Sequence, residues 1–219
     1  MTTRRLGDGP EARAEAARVL RAGGIVAFPT DTVYGIAVAL ETRGGIERLF
    51  AAKQRPPDRA IALLIADAGQ AAEIGELNAA ATALAGAFWP GGLTLVIPQR
   101  ANRRLPAALS GDPTIAHPTV GVRVPDHAAP RAIARAVGPL PTTSANRSGE
   151  PEARDAEGLE AQLGPALDLI VDGGPAHGGP ASTVIDTTVA PIRILREGAI
   201  TADAIDHCLT SANLPGVGR

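Results

Sequence analysis

The chain has 219 residues, a net charge of −2, 45% apolar residues and only 2% aromatics. That length suits one substantial domain better than several, and the near-neutral charge gives no whole-molecule argument for a nucleic-acid or membrane partner, so any RNA contact must use a local basic patch. The lone Cys208 excludes an internal disulfide and a cysteine metal site. No run approaches the roughly 18 apolar residues of a membrane span, and the N-terminus lacks the apolar stretch of a secretory leader, so the expected compartment is the cytoplasm.

With so few rings, the core must be assembled from Val, Ile, Leu and Ala. A first helix is expected from Pro10 to Ala22, with Pro10 suited to the first helical turn and Gly23-Gly24 closing the end. Ile25 to Phe28 is expected as a buried strand entering the turn Pro29-Thr30-Asp31, followed by a short strand from Val33 to Ala39. A helix from Gly45 to Lys53 sets Ile46, Leu49, Phe50 and Lys53 at helical spacing, and Pro56-Pro57 stops it. Ile61 to Ile65 is a strand. Asn78 caps a helix ending at Trp89-Pro90-Gly91-Gly92, and Leu93 to Ile97 is the next strand. Val120 to Val124 alternates as a sheet strand does. Helices at Ala129 to Val137 and Asp155 to Leu163 flank a loop from Pro141 to Pro151. Strands at Leu167 to Val171, Thr183 to Asp186 and Ile192 to Leu195 precede a C-terminal helix starting near Thr201. Alternating strands and helices make this an α/β protein. No repeat or compositional break marks a second domain; the domain is expected over residues 10–205, with 206–219 as helix end and tail.

Of 21 basic residues, only Lys53 is a lysine. In a chain that otherwise uses arginine, this makes Lys53 a candidate for chemistry arginine cannot perform, set against the plainer reading of a solvated surface charge. Three polar clusters stand out because each sits at an expected strand end, where open α/β sheets bind ligands. Pro29 to Gly35 gathers hydroxyls and the single tyrosine in one turn, which is also what an ordinary Thr/Asp turn contains. Lys53-Gln54-Arg55-Pro56 places two cations two residues apart; on extended chain they point the same way and can grip one triphosphate, and otherwise they simply complement a helix C-terminus. Pro141 to Gly149 offers hydroxyls, an amide and backbone N–H groups for an anion nest, or is a hydrophilic loop. No GxxxxGK[ST], GxGxxG or HExxH motif is present. His117, His127, His177 and His207 follow no metal-ligand spacing.

Taken together, PTDTVYG, KxRP, FWPGGLTLV, GVRVP, SAN followed by SG, ASTVID and ILREGAI stand in an order that resembles the YrdC family of threonylcarbamoyl-AMP synthases, over Arg21 to Ala204. No one of these motifs is strong; the ordered set is specific. The resemblance implies a single-domain, twisted, mostly mixed open α/β sheet with flanking helices around a concave, positively lined cavity, in the family's short form. It implies that L-threonine, bicarbonate or carbon dioxide and ATP are joined into threonylcarbamoyl-AMP, with pyrophosphate released, as the first step towards a modified adenosine of tRNA. The family's threonine contacts fall on Thr32, Arg123 and Ser182, with the backbone near Thr142 also implicated. Its nucleotide contacts fall on Lys53, Arg55, Thr119, Ser144, Asn146 and Arg196, with Lys53 and Arg55 as the catalytic cations. Arg123 suits a bidentate grip on a carboxylate, and Lys53, Arg55 and Arg196 suit a triphosphate and its departing pyrophosphate.

Magnesium is expected on the triphosphate, without a protein metal cage. Expected partners are downstream tRNA threonylcarbamoyl-transferase proteins, with weak contact to tRNA or double-stranded RNA. Arg59-Ala60, Leu64, Glu152 and Glu197 depart from the family's pattern. Glu152 is not carried over as a nucleotide contact, because a carboxylate facing phosphates is repulsive. The alternative readings are a paralogue with another adenylation or carbamoyl-transfer activity, and a double-stranded RNA-binding module.

Overall fold

The computed structural model describes residues 3–54, 60–110, 118–176 and 178–218. One mixed sheet of ten strands organises them: β1 (Arg4–Gly7), β2 (Val26–Phe28), β3 (Gly35–Ala37), β4 (Ala62–Leu64), β5 (Leu93–Pro98), β6 (Thr119–Arg123), β7 (Leu140–Ser144), β8 (Leu169–Asp172), β9 (Thr183–Asp186) and β10 (Arg193–Arg196). Their order is β1-β8-β2-β3-β7-β4-β6-β5-β9-β10. The helices are α1 (Pro10–Arg21), α2 (Gly45–Lys53), α3 (Ala68–Ile74), α4 (Ala79–Phe88), α5 (Ala128–Val137), α6 (Ala156–Leu163) and α7 (Ala202–Ser211).

Local chemistry accounts for most boundaries. Pro10 opens α1, and Gly23 closes it at φ 88°, a left-handed conformation that glycine adopts without strain. The Asn78 side chain accepts from Ala81 N–H at 2.8 Å, and Asp155 accepts from Gly158 N–H at 2.8 Å, so α4 and α6 start where a capping side chain stands.

Three elements differ from the sequence expectation. β1, Arg-Arg-Leu-Gly, is too short and charged to show a strand period; it is held by parallel pairing to β8. α3 begins at Asp67, whose carboxylate accepts from Gly69 and Gln70 N–H, but Ala-Gly at its start conceals it. The first half of the expected 141–151 loop is strand: β7 lies antiparallel between β3 and β4. Pro141 is tolerated there because the β3 ladder ends one step earlier, at Ala37↔Thr142; Val38 N–H still donates to Pro141 O at 3.4 Å, and proline has no N–H to return. β1 lies ahead of residue 10, and α7 runs across residue 205.

The two sheet faces are covered unequally, and this positions the site. On one face, Ile36, Leu63, Leu95, Val122 and Ile185 pack with Leu49 of α2, Leu84 of α4, Leu159 of α6 and Leu209 of α7. On the other, Val26, Phe28, Leu140 and Leu169 pack only beneath Ala16 and Leu20 of α1 and Ile133 of α5. Side chains alternate along each strand. The residues sharing that second face further along the sheet are Thr142 and Ser144 of β7, Ala62 of β4, Thr119, Gly121 and Arg123 of β6, Thr94 and Val96 of β5, and Val184 and Asp186 of β9. Among the described residues no helix packs on them, and they line a cavity instead.

Candidate active site

The cavity has a volume of about 460 Å³, within the range of small-molecule sites. Seven of the nine described site candidates line it: Thr32, Thr119, Arg123, Thr142, Ser144, Ser182 and Arg196. Arg55 lies outside the described residues, as do Arg59, His117 and His177. Among the described residues the lining carries three arginines (Arg123, Arg193 and Arg196) against two carboxylates, Glu152 and Asp186.

Arg123 ends β6 and is 7% exposed. Its Nη2 donates to Asp31 Oδ1 at 2.7 Å, Nη1 to Thr32 Oγ1 at 3.2 Å and Nε to Gly91 O at 2.9 Å. The Trp-Pro-Gly-Gly turn is itself fixed, by Trp89 Nε1 donating to Leu93 O at 2.7 Å and Gly91 N–H to Val124 O at 2.9 Å. Burial lowers the guanidinium pKa and the neighbouring Arg196 adds to this, while the charge and hydrogen bond of Asp31 oppose them. Arg123 is thus a buried cation in a fixed orientation, suited to an anionic group of a small ligand. Thr32 sits in the turn between β2 and β3, held by Thr30: Thr32 N–H donates to Thr30 Oγ1 at 3.1 Å, and Thr30 Oγ1 donates to Val33 O at 2.6 Å.

Ser182, just before β9, shares a 2.9 Å hydroxyl contact with Thr94. Arg196, at the end of β10, donates to Ser182 O at 2.7 Å through Nη2 and 3.1 Å through Nε, and to Ser182 Oγ at 3.2 Å. Thr142 Oγ1 donates to Leu140 O at 2.7 Å, so its hydroxyl is turned to its own strand.

Lys53 and Asn146 are the two described candidates that do not line the cavity. Lys53 is 2% exposed at the end of α2. Its ammonium donates to Ser144 O, to Ser144 Oγ at 3.4 Å and to Asn146 Oδ1 at 3.0 Å. Ser144 Oγ donates to Asn146 Oδ1 at 2.7 Å, and the Asn146 amide donates to Arg147 O at 2.9 Å and Glu150 O at 2.7 Å. Ser148 N–H returns to Lys53 O at 2.9 Å. In this arrangement the single lysine staples the Ser-Ala-Asn turn to α2, while Ser144 reaches the cavity.

Tyr34, the other singular residue of the first cluster, is fully buried. Its hydroxyl donates to Gly174 O at 2.7 Å and accepts from Gly173 N–H at 3.0 Å, and burial pushes its pKa up to about 12. It braces the loop after β8. Of the departures, Glu152, Leu64 and Ala60 line the cavity, while Glu197 Oε1 accepts from Ala202 N–H at 3.3 Å at the start of α7. Sequence reasoning gave no role to Asp31, Gly91 or Thr94. A hydroxyl standing alone in the apolar run Leu-Thr-Leu-Val was the available signal for Thr94. The bond between Asp31 and Arg123 joins residues 92 apart and has no local signature.

An α/β domain with an open, arginine-bearing cavity on its less covered sheet face is a class of ligand-binding fold, and comparison with known proteins narrows it. Residues 18–198 match the family described as Telomere recombination, the Sua5/YciO/YrdC group. The chain belongs to that family. It is 38% identical over 195 residues to the threonylcarbamoyl-AMP synthase of Bacillus subtilis, covering 88% of this chain and 55% of that protein. It is 33% identical over 192 residues to the threonylcarbamoyl-AMP synthase of Stutzerimonas stutzeri, covering 87% of this chain and 96% of that protein. It superposes on the crystal structure of P. abyssi Sua5 complexed with L-threonine with a TM-score of 0.84 and 33% identity, covering 95% of this chain and 60% of that one. The chain therefore spans little more than half of the longer relatives and nearly all of the shorter.

Proposed function

We propose that this protein is an L-threonylcarbamoyladenylate synthase, a nucleotidyltransferase that acts in the cytoplasm on the path to the N6-threonylcarbamoyladenosine of tRNA. The observation that carries this reading is the oriented Arg123, held by Asp31, Thr32 and Gly91 and facing one cavity with Ser182 and Arg196. The names of the relatives and the threonine complex of the P. abyssi protein support it.

In this reading the threonine carboxylate meets Arg123, and Thr32 and the Ser182–Thr94 pair receive the rest of the amino acid. The amine adds to carbon dioxide, in equilibrium with bicarbonate, and gives one proton to solvent. A carbamate oxygen then bonds to the α-phosphorus of ATP as the bond from that phosphorus to the α,β-bridging oxygen breaks, and pyrophosphate leaves with the electron pair. The protein contributes positioning and charge neutralisation rather than a nucleophile. Arg196 and the Ser144 turn receive phosphate oxygens, with Arg55 assigned to the same task from sequence; Lys53 keeps that turn in shape. Magnesium arrives with the triphosphate as part of the substrate. Asp186, a carboxylate of the cavity, is already engaged by Thr188 N–H at 2.9 Å and Thr188 Oγ1 at 2.6 Å. The product passes to tRNA threonylcarbamoyl-transferase proteins, with at most weak direct contact to RNA. Among the described residues no helix is long and apolar enough to cross a membrane.

The test is pyrophosphate release from ATP, with threonylcarbamoyl-AMP identified by mass spectrometry. Release is expected to require both L-threonine and bicarbonate. Equal release without threonine, or in carbon-dioxide-free buffer, overturns the reading in favour of a nucleotide hydrolase.

A further inference from the structure

A glycine in the middle of a central strand is disfavoured, because it is costly to order and contributes no side chain to packing. Gly121 occupies that place, between Val120 and Val122 in β6, with β5 on one side and β4 on the other. Three structural reasons commonly keep a glycine in a strand, and none applies here. Its φ is not among the positive ones. It sits in no bulge, because β5 and β6 pair without a break through Leu95↔Val122, Val96↔Gly121 and Ile97↔Val120. Nor would a side chain collide with any of the described residues: a Cβ at Gly121 would meet Thr94 Cγ2 at 3.6 Å and Ala62 Cβ at 3.7 Å, ordinary van der Waals contacts. Gly75 is different, since a Cβ there would lie 2.6 Å from Pro98 O, as is Gly92, where one would lie 2.6 Å from Ala199 Cβ. What a side chain at 121 would enter is the cavity, whose floor it forms with Ala62, Thr94 and Thr142. The remaining reason for a strand glycine is close approach of a ligand.

We propose that Gly121 is a positioning and size-determining residue of the site, holding open the floor on which the carbamoyl–phosphate joint of the intermediate lies. This rests on the synthase reading above. Arg123 and Thr119 flank Gly121 on the same face, each about 7 Å along the strand. From the threonine carboxylate carbon to the α-phosphorus the path runs through Cα, N, the carbamoyl carbon and one oxygen. Extended, it spans roughly 6 Å by ordinary bond lengths. A ligand gripped by carboxylate at the Arg123 end and extending along the strand towards Thr119 passes its reacting joint over the floor that Gly121 forms. A methyl group there displaces that joint from the line of attack without touching the carboxylate grip.

The test compares wild type, Gly121→Ala and Gly121→Val by thermal melting and by initial rates of pyrophosphate release at varied threonine and ATP. Both variants are expected to melt at or above the wild-type temperature. Gly121→Ala should lose about tenfold in kcat and Gly121→Val roughly a hundredfold, the scale of an ångström-sized misplacement, while the apparent KM for threonine changes less than about threefold. A folded Gly121→Val with a kcat within threefold of wild type overturns the inference alone. If that variant does not fold, Gly121→Ala decides by the same threefold limit. A wild-type protein that releases no threonine-dependent pyrophosphate overturns the synthase reading, and this inference falls with it.

Discussion

Single residues in this protein owe their roles to partners far away in sequence. Lys53 is the clearest case. A solvated lysine accepts arginine within roughly 0.5 kcal/mol, but Lys53 is buried with its ammonium on Ser144 O and Asn146 Oδ1. A planar guanidinium cannot occupy that compact pocket. Lys53→Arg is expected to cost about 1–3 kcal/mol of stability, several degrees of Tm, and to lower kcat/KM for ATP through the distorted Ser144 turn. Unchanged melting and rates would show that the staple is unimportant. Arg123→Ala removes the partner of Asp31 as well as the proposed carboxylate grip, so it should lose the ability of L-threonine to raise Tm and on the order of 2–4 kcal/mol of transition-state stabilisation. Calorimetry showing unaltered threonine affinity would refute that grip. Glu152 tests the opposite sign. Because Glu152 is among the residues lining the cavity, Glu152→Ser should lower the KM for ATP at low salt, and less so at high salt, where screening already weakens the repulsion.

At the scale of elements, the junction of β9 and β10 carries both Ser182 and Arg196, and Gly198 fixes it. A Cβ at Gly198 would stand 2.8 Å from Ser182 C and 2.9 Å from Ser182 O, and the Gly198 N–H donates to Thr183 Oγ1 at 2.9 Å. Gly198→Ala should therefore lower Tm and activity together, whereas Gly121→Ala should affect activity alone; paired melting and rate measurements separate the two glycines. The elements that local pattern reveals are those whose stabilisation is local. α1 has its proline start and glycine stop, and α4 and α6 have their capping side chains. β1 and β7 were not legible, because a four-residue arginine-rich strand and a proline-bearing strand exist only through their pairing with β8, β3 and β4.

At the scale of the whole molecule, Asp172 at the end of β8 links distant parts. It accepts from Arg5 of β1 at 2.7 Å, from Gly174 N–H at 2.9 Å and from Tyr34 at 3.3 Å. Burial alone would raise its carboxyl pKa, but these donors together hold it below the usual value. A carboxyl depressed in the folded state binds fewer protons than in the unfolded chain. Its stabilisation is present above the unfolded pKa of about 3.9 and is lost as pH falls through the folded value. Asp172→Asn is expected to melt lower at neutral pH and to show a flatter loss of Tm below about pH 4 than wild type. Parallel acid limbs would contradict this. Tyr34 works at the other end of the scale: its pKa, raised by burial from 10 to about 12, makes stability fall as pH rises across that interval, and Tyr34→Phe should remove this component.

The sequence by itself determined the α/β class, most helix boundaries and the family, because those follow from periodicity, capping residues and an ordered set of short motifs. It also named seven residues that prove to share one cavity. Only the tertiary structure decided what that cavity is: the part of one sheet face that α1 and α5 leave uncovered, with Gly121 and Ala62 on its floor. It also placed the lone lysine, buried, against Ser144 O and Asn146 Oδ1, and it supplied Asp31 as the group that orients Arg123. These outcomes depend on which strands lie side by side and which face each side chain takes. The β-strand period of two offers two equivalent faces, and only long-range pairing and helix packing determine which of them is buried and which is left open to a ligand.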